Sequence, residues 1–208
     1  MSQLNTDVIA AAAIGVLDER GLAGFSMRAV AEAVSVTPMA LYNHVSDKAG
    51  LAALIISAAI DQHPLSAPTG DWEEDLWLIA RWMREGSIRH PALQELQQAF
   101  RIWTPAVCHV IDRWFGHWRQ SGLALDQISL AASTSGLAIS GLVDRESMYC
   151  DRVQPDRAAI SSIPNADLLF STDYDPAKQF ELGARSIIKG VYASLSTVPR
   201  HKVVMSAH

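Results

Sequence analysis

Cysteine is scarce in this chain: two, Cys108 and Cys150, stand among 208 residues. Two thiols so far apart make neither a disulfide framework nor a zinc spacing, which excludes a small secreted scaffold and points to a reducing cytoplasm. Long apolar runs are missing as well. None reaches the roughly 20 residues that a helix needs to cross a bilayer, and the N-terminus has no charged start followed by a signal core, so no membrane association is expected. There is no Gly-rich phosphate loop and no internal repeat. Ser135-Gly136 and Ser140-Gly141 lack the strand-to-helix setting of a nucleophile elbow, and no other catalytic motif stands out, so the chain is not expected to be an enzyme. His90, His109 and His117 include one pair eight residues apart, from which a single helix face cannot close a tetrahedral site; neither a metal nor another cofactor is expected. Positive charge is short too, with 17 Lys and Arg against 22 Asp and Glu, a net charge of −5. At 49% hydrophobic residues the chain is neither disordered nor membranous, and its length allows a small domain plus a larger one.

What is present is helical spacing. Ile9, Ala12, Ala13, Val16 and Leu17 predict a first helix, stopped by Gly21. Ser26 is a good N-cap, and Met27, Val30, Ala31 and Val34 then form one apolar stripe. Ser35 and Val36 make a turn. Thr37 caps the next helix, with Pro38 at the first helical position, where its missing N–H costs nothing. Leu41 and Val45 face inward, while Met39, Ala40 and Asn43 point away from the core. A further helix opens at Ser46 or Asp47, with Leu51, Leu54, Ile55 and Ala58 at helical spacing. Two short helices joined by so tight a turn are the shape of a helix-turn-helix, whose second helix lies in the DNA major groove.

Gly21-Leu-Ala-Gly-Phe-Ser26, followed by Arg28, Val30-Ala31, Val36, Leu41-Tyr42, His44 and Lys48, resembles the DNA-binding domain of the tetracycline-repressor (TetR) family. The resemblance implies a homodimeric, all-α regulator that releases double-stranded operator DNA when a small-molecule effector binds the larger C-terminal domain. It also implies that Tyr42, His44 and Lys48 bind phosphate oxygens, which fixes register without reading sequence. The N-terminus of the helix beginning near Lys48 adds a second attraction for phosphate. Ser26 and Thr37 are cap residues whose hydroxyls can also touch phosphate. Met39 and Ala40 can make only apolar contact, for which the thymine methyl is the natural target; Asn43 can pair with adenine, and Arg28 with guanine or phosphate. Two positions depart from the family pattern: Ser35 stands where glycine is usual, and Gly50 where glutamate is more common. Residues 1–60 are also acidic, with Arg20, Arg28 and Lys48 against Asp7, Asp18, Glu19, Glu32 and Asp47. Since DNA affinity rests largely on phosphate neutralisation, modest affinity and a shallow salt dependence are expected.

A boundary follows. Residues 62–70 carry two prolines and a glycine and read as a linker, dividing a helix-turn-helix DNA-binding domain, 1–62, from a helical effector-binding and dimerisation domain, 63–208. Asp71 caps the next helix, with Glu74 three residues on as a capping box. Trp72, Leu76, Ile79 and Met83 make one stripe and Leu78 and Trp82 another, so this helix is buried on both faces or faces a cavity on one. Pro91 and Thr104-Pro105 start two more helices, and Gly122 ends the second. Between residues 126 and 149, Ile128, Ala132, Ser135, Ile139 and Leu142 recur at four and three residues among small neighbours. Phe180, Ala184, Ile187 and Val191 repeat that period in a last helix opening near Asp175-Pro176. Two such helices from each of two subunits are expected to form a four-helix dimer interface, unless both stripes pack inside one subunit. Asp151 to Tyr174 reads as a loop with one short helix.

All six tryptophans lie between Trp72 and Trp118. With the nearby aromatic and sulfur-bearing groups, Trp82, Met83, Phe100, Trp103, Cys108, Trp114, Trp118 and Met148 are candidates to line an apolar effector pocket. His109, Arg113, Arg145 or Glu146 would be its polar handles. The expected function is a ligand-responsive transcriptional regulator, a repressor, binding a palindromic operator as a homodimer and released by a small, largely apolar or aromatic molecule. Two alternatives stand beside it: a redox-responsive regulator using Cys108 and Cys150, and an enzyme in the C-terminal domain with a vestigial DNA module.

Overall fold

The computed structural model describes residues 4–149, 162–164 and 175–197, and all the regular structure among them is helical. Helix α1, Thr6–Gly24, is capped by Asn5, whose Oδ1 accepts from the Val8 N–H at 2.9 Å. Gly21 interrupts it with φ 63°, so the expected stop is a kink followed by one more turn. Helix α2, Met27–Ala33, is capped by Ser26, whose Oγ accepts from the Ala29 N–H at 3.2 Å. In α3, Pro38–Tyr42, the Thr37 hydroxyl accepts from the Ala40 N–H at 3.2 Å, and Pro38 occupies the first turn. Helix α4, Lys48–Gln62, starts from Asp47, whose Oδ1 accepts from the Gly50 N–H at 2.7 Å. Ile9, Ala13, Val16 and Leu17 of α1, Val30 and Ala31 of α2, Leu41 of α3, and Leu51 and Ile55 of α4 are buried in one core, as their spacing predicts.

The turn between α2 and α3 closes α2 with two reverse hydrogen bonds, Ser35 N–H to the Glu32 carbonyl and Val36 N–H to the Ala31 carbonyl, at 3.0 and 2.9 Å. This is the Schellman arrangement, and it places Ser35 at φ 57°, where glycine is the low-cost residue.

The same core continues beyond the linker. Helix α5 spans Trp72–Arg89, α6 Pro91–Phe100 and α7 Pro105–Gln120. Leu96 of α6, Ile102 of the connection that follows it, and Val107 of α7 are buried with the N-terminal helices. Met1–Gly122 accordingly forms one compact unit and Leu123–His208 another. The linker is itself held: the Trp82 indole N–H donates to the His63 carbonyl at 2.6 Å, and the Arg113 guanidinium to the Ser66 carbonyl at 2.7 Å.

In the second unit, α8, Leu125–Tyr149, and α9, Pro176–Ser196, pack against each other. The Gln127 side-chain amide donates to the Leu195 carbonyl at 3.0 Å. Gly183 lets the helices approach: a Cβ there would lie 3.0 Å from the Leu142 methyl. Ile128, Ala132, Ser135 and Ile139 of α8 and Phe180 and Ala184 of α9, expected to face a second subunit, are buried within the single chain; Leu142, Ile187 and Val191 are half-buried. A stripe alternating at four and three residues marks helix-on-helix contact but does not say whose helix. Among the described residues, Leu125, Leu130 and Leu137 of α8 and Leu182 of α9 are large apolar groups left exposed. Except for a turn at Ser162–Pro164, the loop and short helix expected between Asp151 and Tyr174 lie outside the described residues.

The left-handed Ser35 supplies a test. A non-glycine residue there costs about 1–2 kcal/mol, while glycine costs about 0.4–1 kcal/mol through the freer unfolded chain. Ser35→Gly is therefore expected to raise unfolding free energy by up to about 1 kcal/mol, read as a higher urea midpoint at unchanged slope.

Candidate nucleic-acid interface

The five residues of α3 are held from beneath and open above. Leu41 is fully buried and Val45 nearly so, which turns the opposite side of the helix outward. Met39 is 74% exposed and Tyr42 49%. Asn43 and His44 are exposed where the helix ends, Arg28 is exposed on α2, and Thr37 is exposed at the cap. Met39 is thus not a packing residue. Ala40 and Ser26 are half-buried, and the Ser26 and Thr37 hydroxyls already accept from their own helices, leaving each its O–H to donate. This is a short protruding helix with an apolar methionine and an amide at its surface, flanked by a phenol, an imidazole and a guanidinium.

Charge is arranged more favourably than the count suggests. Arg20 lies 4.0 Å from Glu32, and Asp18 receives His90 Nδ1 at 2.9 Å. Asp47 caps α4. Among the described residues, the cations on the helices flanking α3 are Arg28 of α2 and Lys48 of α4. Lys48, the first residue of α4, is not extended into solvent: its ammonium lies 5.5 Å from the Phe25 ring centre and 5.7 Å from that of Phe100.

The residues expected to line an effector pocket are less well gathered. Trp114 is buried and Trp118 fully so, the latter stacked obliquely on Trp72 at 5.5 Å. Trp82 and Met83 are half-buried, the former tied to the linker. Phe100 faces Lys48 and the N-terminal core instead. Trp103 is 73% exposed, and Cys108 is exposed. Aromatic content alone does not tell which face of a helix a ring occupies. The Met148 side chain and Cys150 lie outside the described residues.

A polar pair escaped the sequence reading. Asp75 on α5 and His117 on α7 are both buried, with His117 Nδ1 3.5 Å from Asp75 Oδ2. Asp75 accepts from the Thr69 N–H at 2.7 Å, the Thr69 hydroxyl at 2.8 Å and the Gly70 N–H at 3.3 Å. Burial pushes its carboxyl up, but the Thr69 bonds, with His117 and Gly70, hold it below the ordinary 3.8. His117 is lowered from 6.5, by burial first; Asp75 opposes that shift and Arg113 reinforces it. The sequence signal was a carboxylate beside the Trp72-Leu76-Ile79 stripe and a histidine between Trp114 and Trp118.

The chain is similar to known proteins in sequence and in fold. Residues 9–55 match the family described as bacterial regulatory proteins, tetR family. The chain is 30% identical over 122 residues to the HTH-type transcriptional repressor DrrR1 of Streptomyces coeruleorubidus, covering 58% of this chain but only 45% of that protein's length. ActR of Streptomyces coelicolor, a TetR family protein solved in complex with actinorhodin, superposes with a TM-score of 0.73 at 25% identity, over 95% of this chain and 99% of its own. BioQ, solved with its double-stranded DNA operator, shares the fold with a TM-score of 0.68 at 22% identity, over 92% of this chain and 99% of its own.

The Asp75–His117 pair makes stability depend on pH. As pH falls through 6.5 the unfolded chain protonates this histidine before the folded chain does, so stability drops across that window and levels below the folded value. Asp75 works lower: its contribution is present above 3.8 and lost as pH falls further. Denaturant unfolding between pH 7.5 and 5.5 should show the first loss, and His117→Phe should remove part of it while leaving the acid limb.

Proposed function

We propose that the chain, whose residues 9–55 match the tetR family of bacterial regulatory proteins, is a ligand-responsive transcriptional repressor of that kind. It binds a palindromic operator as a homodimer and leaves it when a small, largely apolar or aromatic effector binds. The observation that carries this reading is the outward face of α3, where Met39, Tyr42 and Asn43 stand exposed above a fully buried Leu41. One helix of five residues reads few bases, so two copies are needed, spaced by about one helical turn of DNA, roughly 34 Å.

Residues 1–62 make the DNA contacts: Tyr42, His44 and Lys48 to phosphates, Asn43 and Met39 to base edges, Arg28 to either. Residues 63–208 take the effector and the second subunit. Because so much of the α8 and α9 stripes is buried within the chain, the partner is met through Leu130, Leu137 and Leu182, with Leu142, Ile187 and Val191 at the margin. The effector seat lies among Trp82, Met83, Trp114 and Trp118, and its binding favours a state whose reading helices no longer match successive grooves. DrrR1, a repressor, and ActR, bound to actinorhodin, support both halves of this reading by likeness. Among the described residues no helix is long and apolar enough to cross a membrane. The place of action is the cytoplasm, where the DNA is.

Sequences selected from a random duplex pool supply the operator, and variants sort the contacts. Tyr42→Phe and Lys48→Ala should weaken all bound sequences alike. Lys48→Ala should also lower the salt slope by roughly 2, one phosphate per subunit. Asn43→Ala should relax preference at one position per half-site, where a mismatch now costs about 1–3 kcal/mol. Equal loss of selectivity in all three would reverse the assignment. For the effector, flat aromatic compounds titrated by calorimetry and tryptophan fluorescence should give at least one saturable response that also releases the operator; uniform silence would remove this half of the function.

A further inference from the structure

Lys48 is the cation that the operator reading most depends on, and its surroundings are unusual for a DNA-facing lysine. Its ammonium lies over two aromatic faces, Phe25 at 5.5 Å and Phe100 at 5.7 Å, both within the range at which the ring quadrupole attracts a cation. Among the described residues it makes no ion pair with a carboxylate. The difference matters chemically. A carboxylate neutralises the charge that a phosphate would seek, whereas a ring face holds the ammonium in place and leaves its charge and N–H groups available.

The two rings differ in origin. Phe25 is fully buried between α1 and α2, inside the DNA-binding module. Phe100 comes from outside it, as the last residue of α6, half-buried against the same core. Arg101 follows in the left-handed conformation, φ 48°, so the helix ends at Phe100 in a defined geometry.

We propose that Phe100 is a positioning residue for operator binding: with Phe25 it holds the Lys48 ammonium over their ring faces, ready for a DNA phosphate. A free lysine carries large rotamer entropy, and fixing it on the phosphate subtracts from affinity. Here part of that ordering is done when the protein folds. The proposal rests on Lys48 being a phosphate contact, and it extends the DNA-binding surface to a side chain that no helix-turn-helix pattern includes.

A double-mutant cycle on the full chain, read as operator affinity and its salt dependence, tests it. Phe100→Leu keeps apolar volume and deletes the ring; Phe100→Trp keeps an aromatic face. Thermal melts establish that each variant is folded, and Phe100→Met replaces the leucine variant if that one is not. Phe100→Leu should weaken the operator roughly 3- to 10-fold with two clamps per dimer, at an almost unchanged salt slope, and Phe100→Trp should recover most of it. In the Lys48→Ala background, Phe100→Leu should change affinity less than about twofold. An equal loss in both backgrounds, or no loss in either, overturns the role given to Phe100 while Lys48 keeps its own. If Lys48→Ala itself alters neither affinity nor slope, the phosphate contact is wrong and this proposal falls with it.

Discussion

The burial of Leu41 is the contact on which the surface described above depends. A helix of five residues cannot sustain itself in water, because nucleation costs more than so few hydrogen bonds return. What holds α3 is a fully buried leucine, worth roughly 1.5–3 kcal/mol, together with Val45, the Thr37 cap and Pro38. Burying Leu41 inward fixes the rotation of the helix, and rotation alone decides that Met39, Tyr42 and Asn43 face out. The strained Ser35 serves the same end. Its left-handed turn re-aims the chain so sharply that α3 follows α2 after only residues 34–37.

Electrostatics then has to be local. With more acids than bases in the N-terminal module, general attraction to DNA is weak, and the free acidic side chains near α3 would add repulsion. Several of them are engaged: Asp47 in a cap, Asp18 with His90, Glu32 near Arg20. Lys48, by contrast, is placed against aromatic rings that spare its charge. A protein built so relies on few, well-placed contacts more than on bulk charge, which favours selectivity over tight indiscriminate binding.

The N-terminal half was legible in the sequence because its signals are local. Ser26, Thr37, Pro38 and Asp47 announce helix starts within a few residues of where they act, and Leu41 and Val45 show the inward face by spacing alone. The caps at Asp71, Thr104 and Asp175 were readable for the same reason. Pairings across the chain were not. The stripes of α8 and α9 carry one period whether the partner is the same chain or another copy, so Ile128, Ser135 and Phe180 could not be assigned by pattern. Trp103 and Cys108 share a composition with Trp114 but not its burial. Asp75 and His117 are far apart in sequence and meet only because α5 packs on α7; Phe100 reaches Lys48 through an equally distant contact.

The pinned linker has a consequence for how the molecule can be taken apart. Side chains of α5 and α7 grip the backbone at His63, Ser66 and Thr69, and buried groups of α6 and α7 complete the floor under α1 and α4. The reading head is therefore no detachable cassette. A fragment cut at residue 62 would lose Leu96, Ile102 and Val107 from beneath it and present a greasy, unfinished underside to water, so engineered chimeras that swap heads need their seam beyond α7.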